Sequence, residues 1–255
     1  MDQREICKTV RELISTDALP MTAKLLIKHH PKLPTFYLLP KIHKFNNPGR
    51  PIVSACSCPT EHISEYLDAV LQPLVQSLPT YIKDSTHALD LIEDINQTPN
   101  FESKYLFTMH VTSRYTCTPH SDGLKALKHF LNKRATPDPP TDTLIRLAEL
   151  VLNKNTFSFR DEVFSQKSGV AVGTKMGPSY ACLFMGHLEH TLLQQYKKPV
   201  PEIYKRYIDD GTGATSLSYN QLLDFINFFL QNFNPAVKFT YEISKVRHFP
   251  GHETS

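Results

Sequence analysis

Two adjacent aspartates, Asp209 and Asp210, are the residues of this chain best suited to chemistry. They follow the aromatic and β-branched run 203–208 and stand directly before Gly211, a pattern that predicts a strand entering a tight turn. In a regular strand neighbouring side chains point to opposite faces, whereas a turn lets both carboxylates face one site. Because Mg²⁺ prefers oxygen ligands, the pattern is typical of a metal site for phosphoryl transfer. An acidic hairpin tip exposed to water is the alternative.

The elements that must position this pair follow a mixed α+β order without an internal repeat. The run 105–111 is apolar and favours β structure, which predicts a buried strand. A turn is predicted at 119–123, because it begins with proline and ends with glycine. Strands are also expected at 36–39, 50–53 and 237–243, with a hairpin at 156–165. Helical spacing of apolar residues predicts helices within 6–14, 63–78, 89–95, 124–131, 144–151, 180–192 and 222–233.

Composition narrows the class of protein. The chain has 255 residues, of which 40% are apolar, and a mean hydropathy of −0.31, which is typical of a soluble globular protein. No apolar run approaches the length of a membrane span and the N-terminus lacks the order of a signal peptide, so we expect an intracellular protein without a membrane partner. Five scattered cysteines predict reduced thiols. A zinc site from Cys56 and Cys58 with His43 and His62 is disfavoured, because no second closely spaced cysteine pair exists.

Basic residues are concentrated near the N-terminus, although the net charge is only +3. Aromatic residues Phe36, Tyr37 and Phe45 lie among them, and this mixture suits a phosphate backbone and stacked bases. A solvated basic face is the alternative. The basic residues are Lys24, Lys28, His29, His30, Lys32, Lys41, His43, Lys44 and Arg50.

Taken in order, these stretches resemble a reverse transcriptase, most closely that of Penelope-like retroelements. The resemblance covers about 33–246 and is carried by the stretches 36–44, 47–54, 59–61, 115–116, 119–120, 169–178, 180–181, 183–186 and 206–210. It implies a right-hand polymerase fold of class α+β, with the thumb missing. The implied divisions are an N-terminal helical extension (1–32), fingers (33–100), an incomplete palm (101–247) and a divergent tail (248–255).

The resemblance also implies roles for individual residues. Asp209 would bind a catalytic pair of Mg²⁺ ions with Asp210 beside it, and such a pair activates a primer 3′-hydroxyl and stabilises the leaving pyrophosphate. Lys41 and Arg50 would neutralise an incoming triphosphate, with ordinary surface charges as the alternative. Tyr115 would lie under the nucleotide sugar, unless it is a packed core aromatic.

The glycine-bearing loop 168–178 precedes an apolar helix, and Pro178 suits the first turn of that helix. By resemblance, this loop lets template and nucleotide approach the backbone. Gly169 and Gly173 are the residues that permit it, because glycine has no side chain.

The chain departs from the family pattern at His110, where the resemblance calls for a metal-binding aspartate five residues before Tyr115. A neutral imidazole adds no negative charge and cannot bridge two Mg²⁺ ions as a carboxylate does. His110 is therefore a degenerate position of the metal site. We expect the histidine to remove most of the polymerase activity.

Other departures point the same way. The stretch 211–216 consists of small residues where the family has a bulky apolar strand, so it is expected to pack poorly. The tail 248–255 diverges where another palm strand would begin. We therefore expect a fingers-and-palm fragment, either an impaired RNA-directed DNA polymerase or a non-catalytic nucleic-acid-binding remnant. The partners implied are an RNA template, a DNA primer and deoxynucleoside triphosphates, with nuclear residence by resemblance.

Overall fold

The structure is a computed structural model that describes residues 3–42, 45–97, 102–111 and 118–246. Its helices within these ranges are α1 (Gln3–Ser15), a 3-10 helix (Met21–Leu26), α2 (Glu61–Gln76), α3 (Ser85–Asn96), α4 (His120–Leu131), α5 (Thr141–Asn153), α6 (Gly177–Gln195) and α7 (Tyr219–Asn232). The strands are β1 (Phe36–Pro40), β2 (Gly49–Val53), β3 (Tyr105–Val111), β4 (Thr156–Phe159), β5 (Glu162–Ser165), β6 (Ile203–Tyr207), β7 (Asp210–Thr215) and β8 (Phe239–Lys245).

The chain divides into two compact units. The first unit comprises Met1–Ser77 and Ser113–His187, and the second unit comprises Leu78–Thr112 and Leu188–Ser255. The two units alternate along the chain, whereas the predicted fingers and palm are consecutive ranges. The assignment of fingers and palm therefore stays a prediction.

The first unit combines helices with two β-hairpins. Helix α5 packs against both α2 and α4, and buried leucines such as Leu67, Leu127 and Leu147 form the core. The hairpin β1–β2 pairs in antiparallel register, and so does β4–β5. Phe36 of β1 stacks on Phe157 of β4 with 5.7 Å between ring centroids, which ties the two predicted hairpins together.

The turn predicted at 119–123 is wrong. Helix α4 begins at His120, and Pro119 is its N-cap residue in an extended conformation. Proline suits the start of a helix as well as a turn, because its missing N–H leaves no intrahelical bond unmade there. The same residue pattern therefore serves both structures.

The second unit is built on an antiparallel sheet of strand order β6–β7–β3–β8. Burial alternates along β3 as the period of two requires: Phe107, Met109 and Val111 are buried, whereas Leu106 is exposed. The buried face packs on α7, where Phe225 meets Phe107 edge to face at 6.4 Å. The opposite face of β3 carries His110.

The expectation that 211–216 packs poorly is also wrong. β7 pairs with β3 on one side and β6 on the other, and large neighbouring rings replace the side chains that it lacks. A Cβ at Gly213 would lie 2.3 Å from the Phe107 ring, and that ring stacks parallel to Tyr204 at 6.3 Å. Glycine is required here because aromatic rings cross the strand.

Within the part of the chain that the structure describes, no helix combines the length and apolar character needed to cross a bilayer.

Candidate functional site

The predicted turn is present between β6 and β7, in the second unit. Ile208 and Asp209 form a two-residue connection, and Ile208 has a φ of 54°. This left-handed conformation is uncommon for a β-branched residue, and glycine usually occupies the first position of such a turn. The turn therefore needs support from its surroundings.

A buried arginine supplies that support. Arg206 Nη1 donates a hydrogen bond of 2.6 Å to the carbonyl oxygen of Ile208. Its Nε donates to Glu189 Oε1 at 2.7 Å and its Nη2 donates to Glu189 Oε2 at 3.3 Å. The side chains of Arg206 and Glu189 are only 4% and 2% exposed. A desolvated ion pair thus holds the turn in place.

Further partners satisfy the Glu189 carboxylate. The hydroxyl of Tyr204 donates to Oε1 at 2.9 Å, and that of Thr80 donates to Oε2 at 3.0 Å. Desolvation by the surrounding protein, reinforced by the nearby Glu189 charge, raises the pKa of Tyr204 well above its usual range. The phenol therefore stays protonated and remains a donor. Sequence reasoning missed this network, although a lone Glu189 inside an apolar helical pattern was a usable signal.

The two aspartates differ in exposure. The side chain of Asp209 is 10% exposed and that of Asp210 is 61% exposed. The carbonyl oxygen of Asp209 accepts a hydrogen bond of 3.1 Å from the backbone N–H of Val111. This bond fixes the turn against the end of β3.

His110 faces both aspartates. It is the register partner of Asp210 across β3 and β7. Its Nδ1 contacts Asp210 Oδ1 and lies 3.9 Å from Asp209 Oδ2. One ligand atom from each of the three residues lies within 4.8 Å of the others. The structure thus brings His110 and the aspartate pair together at one corner.

An open cleft adjoins this corner within the second unit. Its volume is about 480 Å³, and its lining includes Asp84, Thr108, His110, Asp210 and Thr212. A cleft of this size admits a ligand as large as a nucleotide.

The residues at the corner do not fit a pair of Mg²⁺ ions. Two magnesium ions held a few ångström apart need bridging carboxylates, and the contact with His110 engages Asp210 already. Nδ1 of His110 can bind one metal ion but cannot bridge two. The potential metal ligands at this corner are one imidazole nitrogen and two carboxylate groups.

The remaining predicted site residues that are described lie in the first unit. Lys41 follows β1 and is half-buried, and Arg50 lies exposed on β2. Gly169 has a φ of 72°, and its carbonyl oxygen accepts a hydrogen bond of 2.8 Å from Nε2 of His120. Tyr115 falls outside the described residues.

Gly173 joins its loop to the β1–β2 hairpin. Its φ is 119°, and a Cβ there would lie 2.4 Å from the carbonyl oxygen of Val53. The backbone N–H of Val53 in turn donates to Val172 at 3.1 Å. Only glycine permits this close approach of loop and strand.

The basic stretch is partly exposed. Lys24, Lys32 and Arg50 are exposed, whereas Lys28 donates a hydrogen bond of 2.7 Å to Glu61. His43 and Lys44 fall outside the described residues. Among the described residues of the stretch, Lys24, Lys32 and Arg50 are therefore accessible to a polyanionic partner.

Comparison with solved structures identifies the fold as a reverse transcriptase or polymerase-like fold. The chain is similar to apo telomerase from Candida tropicalis truncated from its C-terminal domain, with a TM-score of 0.63 and 12% identity over 96% of this chain and 56% of that one. It is similar to the same telomerase with a fragment of telomeric RNA, with a TM-score of 0.64 and 11% identity over 97% of this chain and 45% of that one.

A viral polymerase gives a related match. The RNA-dependent RNA polymerase of BmCPV in its quiescent state has a TM-score of 0.57 and 11% identity over 93% of this chain and 23% of that one. No model of a known protein family matches the sequence, and no curated protein sequence matches it. The chain spans about half the length of the telomerase chains, and at these identities the similarity establishes the fold alone.

Proposed function

We propose that this chain is a reverse transcriptase domain of the Penelope-like type whose polymerase activity is impaired. The observation that carries the proposal is the contact of His110 Nδ1 with Asp210, opposite Asp209. The corner has the turn, the acidic pair and the adjoining cleft of a phosphoryl-transfer site. Among the described residues, the third member of the group of potential metal ligands at this corner is the imidazole of His110.

Impairment follows from the ligand set. Two-metal catalysis needs carboxylates that hold both ions at once. His110 supplies one nitrogen in place of a carboxylate, and its contact with Asp210 engages an oxygen that a metal ion would use. Mg²⁺ is accordingly the cofactor of an active form in which the third carboxylate is restored.

The substrates proposed are an RNA template, a DNA primer and deoxynucleoside triphosphates. The similarity to a telomerase solved with a telomeric RNA fragment supports a nucleic-acid template. In this proposal Lys41 and Arg50 contact the triphosphate, the loop with Gly169 and Gly173 admits the template, and Tyr115 selects the sugar. Nuclear residence rests on the resemblance alone.

Primer extension with Mg²⁺ tests the proposal, with the unmodified chain compared against His110→Asp. We expect extension near background from the unmodified chain and a clear gain in the variant. Asp209→Asn added to His110→Asp should abolish the gain, because it removes the buried carboxylate. Efficient extension by the unmodified chain that is lost on Asp209→Asn would overturn the proposed impairment.

A second function, binding of nucleic acid without catalysis, is favoured by the exposed cations Lys24, Lys32 and Arg50 and by the exposed rings of Tyr37 and Phe45 in the same stretch of sequence. Backbone binding releases counterions, so the affinity for a template–primer duplex should fall as salt rises. Glu substitutions at Lys24 and Lys32 should reduce the slope of that dependence. Affinity that is insensitive to salt would exclude this surface.

A further inference from the structure

We propose that His110, Asp209 and Asp210 form a site for one borderline transition-metal ion, such as Zn²⁺, in place of a magnesium pair. The inference deepens the proposed function, on which it rests only for the location of the site. It is supported by the distances among the three ligand atoms, by the types of ligand and by the register of β3 and β7.

The distances suit a single ion. Two ligand atoms on one ion, each at about 2.0–2.2 Å, lie no more than roughly 4.4 Å apart. The three candidate atoms lie within 4.8 Å of one another, and His110 Nδ1 is 3.9 Å from Asp209 Oδ2. A small adjustment of the His110 and Asp210 side chains, which are 40% and 61% exposed, therefore closes the group around one ion.

The ligand types select the metal. Imidazole nitrogen suits Zn²⁺ and its neighbours in the transition series, whereas Mg²⁺ demands oxygen ligands in octahedral geometry. Two carboxylates balance the charge of one divalent ion. Exposure of Asp210 leaves room for water to complete the coordination shell.

The backbone arranges the three ligands before any ion arrives. His110 and Asp210 are register partners on adjacent strands, and the hydrogen bond from Val111 fixes the carbonyl of Asp209. Arg206 holds the intervening turn through Ile208. The folded chain therefore loses little conformational entropy when a metal ion binds.

Calorimetric titration of the whole chain with Zn²⁺, and in parallel with Mg²⁺, tests the inference in the absence of nucleic acid. We expect one high-affinity Zn²⁺ ion and much weaker Mg²⁺ binding. His110→Ala should weaken Zn²⁺ binding by more than the ~10–100-fold lost when an outer-shell partner is removed. His110→Asp should shift the preference towards Mg²⁺. The control is His190→Ala, which removes an exposed histidine elsewhere in the second unit and should change neither affinity.

Substitution of Co²⁺ for Zn²⁺ identifies the ligands by absorption. The proposal is supported if bound Co²⁺ shows the absorption bands of a nitrogen and oxygen site and these bands vanish in His110→Ala. Thiolate charge-transfer bands would instead assign the ion to cysteine. Zn²⁺ affinity that is unchanged in both His110→Ala and Asp209→Asn would also overturn it. Failure of Zn²⁺ binding leaves the comparison of primer extension with Mg²⁺ by the unmodified chain and His110→Asp unaffected, so the metal inference and the proposed function fail separately.

Discussion

The two sides of the candidate corner are built differently. On the turn side, Arg206 and Glu189 form a buried ion pair that fixes the backbone of Ile208. On the facing side, His110 is 40% exposed and contacts the exposed Asp210. Buried residues therefore determine the backbone geometry of the turn, and exposed residues determine which side chains are offered as ligands. A single surface residue can change the chemistry of such a site while the fold stays the same.

Arg206→Met should produce the largest loss of stability. It leaves the Glu189 carboxylate buried without its cation, which costs about 3–5 kcal/mol in the free energy of unfolding. Urea denaturation followed by circular dichroism measures the loss. Lys205→Met on the same strand is the matched control and should cost about 0.5 kcal/mol or less. Equal effects of the two variants would mean that the buried pair does not support the turn.

Gly213→Ala tests the packing of the strand that leads away from the turn. The added methyl group would lie 2.3 Å from the Phe107 ring and 2.4 Å from the carbonyl oxygen of Ile203, so we expect a loss of about 1–3 kcal/mol from overpacking. Gly211→Ala is the matched variant, since its nearest contact is 3.1 Å, and should lose less. The reverse order in the same denaturation assay would contradict the account of β7.

Glu202 gives a smaller, pH-dependent effect. Partial burial raises its pKa, but hydrogen bonds from Ser216 and Thr215 outweigh this and lower the pKa below its usual value. Its ionised form therefore stabilises the fold above the unfolded pKa of about 4.3, and this contribution is lost as pH falls through the lower folded pKa. Solvent exposure limits it to about 1 kcal/mol or less.

Glu202→Gln should accordingly flatten part of the loss of stability in acid, as followed by thermal melts at decreasing pH. The exposed Glu242 on β8 supplies the control substitution, Glu242→Gln. Indistinguishable acid profiles for the two variants would exclude a role for Glu202.

His110→Ala should have the smallest effect on stability. The contact with Asp210 is partly exposed, and pairs of this kind contribute about 0–1 kcal/mol. The same variant should nevertheless abolish most binding of Zn²⁺. A stability loss comparable to that of Arg206→Met would show that His110 belongs to the structural side of the corner and would remove the distinction between the two sides.

Local patterns in the sequence predicted the strand and the turn, because each depends on neighbouring residues, whereas the resemblance to the family indicated that His110 stands opposite the aspartates. The pairing of Glu189 with Arg206 depends on packing between a helix and a strand, and no local pattern contains it. The glycines of β7 were interpreted wrongly for the same reason, since their partners are rings on β3 and β6. The Glu189–Arg206 pair and the packing of the β7 glycines thus depend on tertiary contacts, which the periodicity of the sequence does not contain.

The number of metal ions at the corner tests the central claim most directly. Electron paramagnetic resonance of Mn²⁺ can count them in the presence of template–primer and a non-reactive nucleotide analogue, because two ions about 3.5–4 Å apart couple magnetically. We predict one uncoupled ion in the unmodified chain and a coupled pair in His110→Asp. A coupled pair in the unmodified chain would contradict the claim that His110 turns a two-metal corner into a one-metal site.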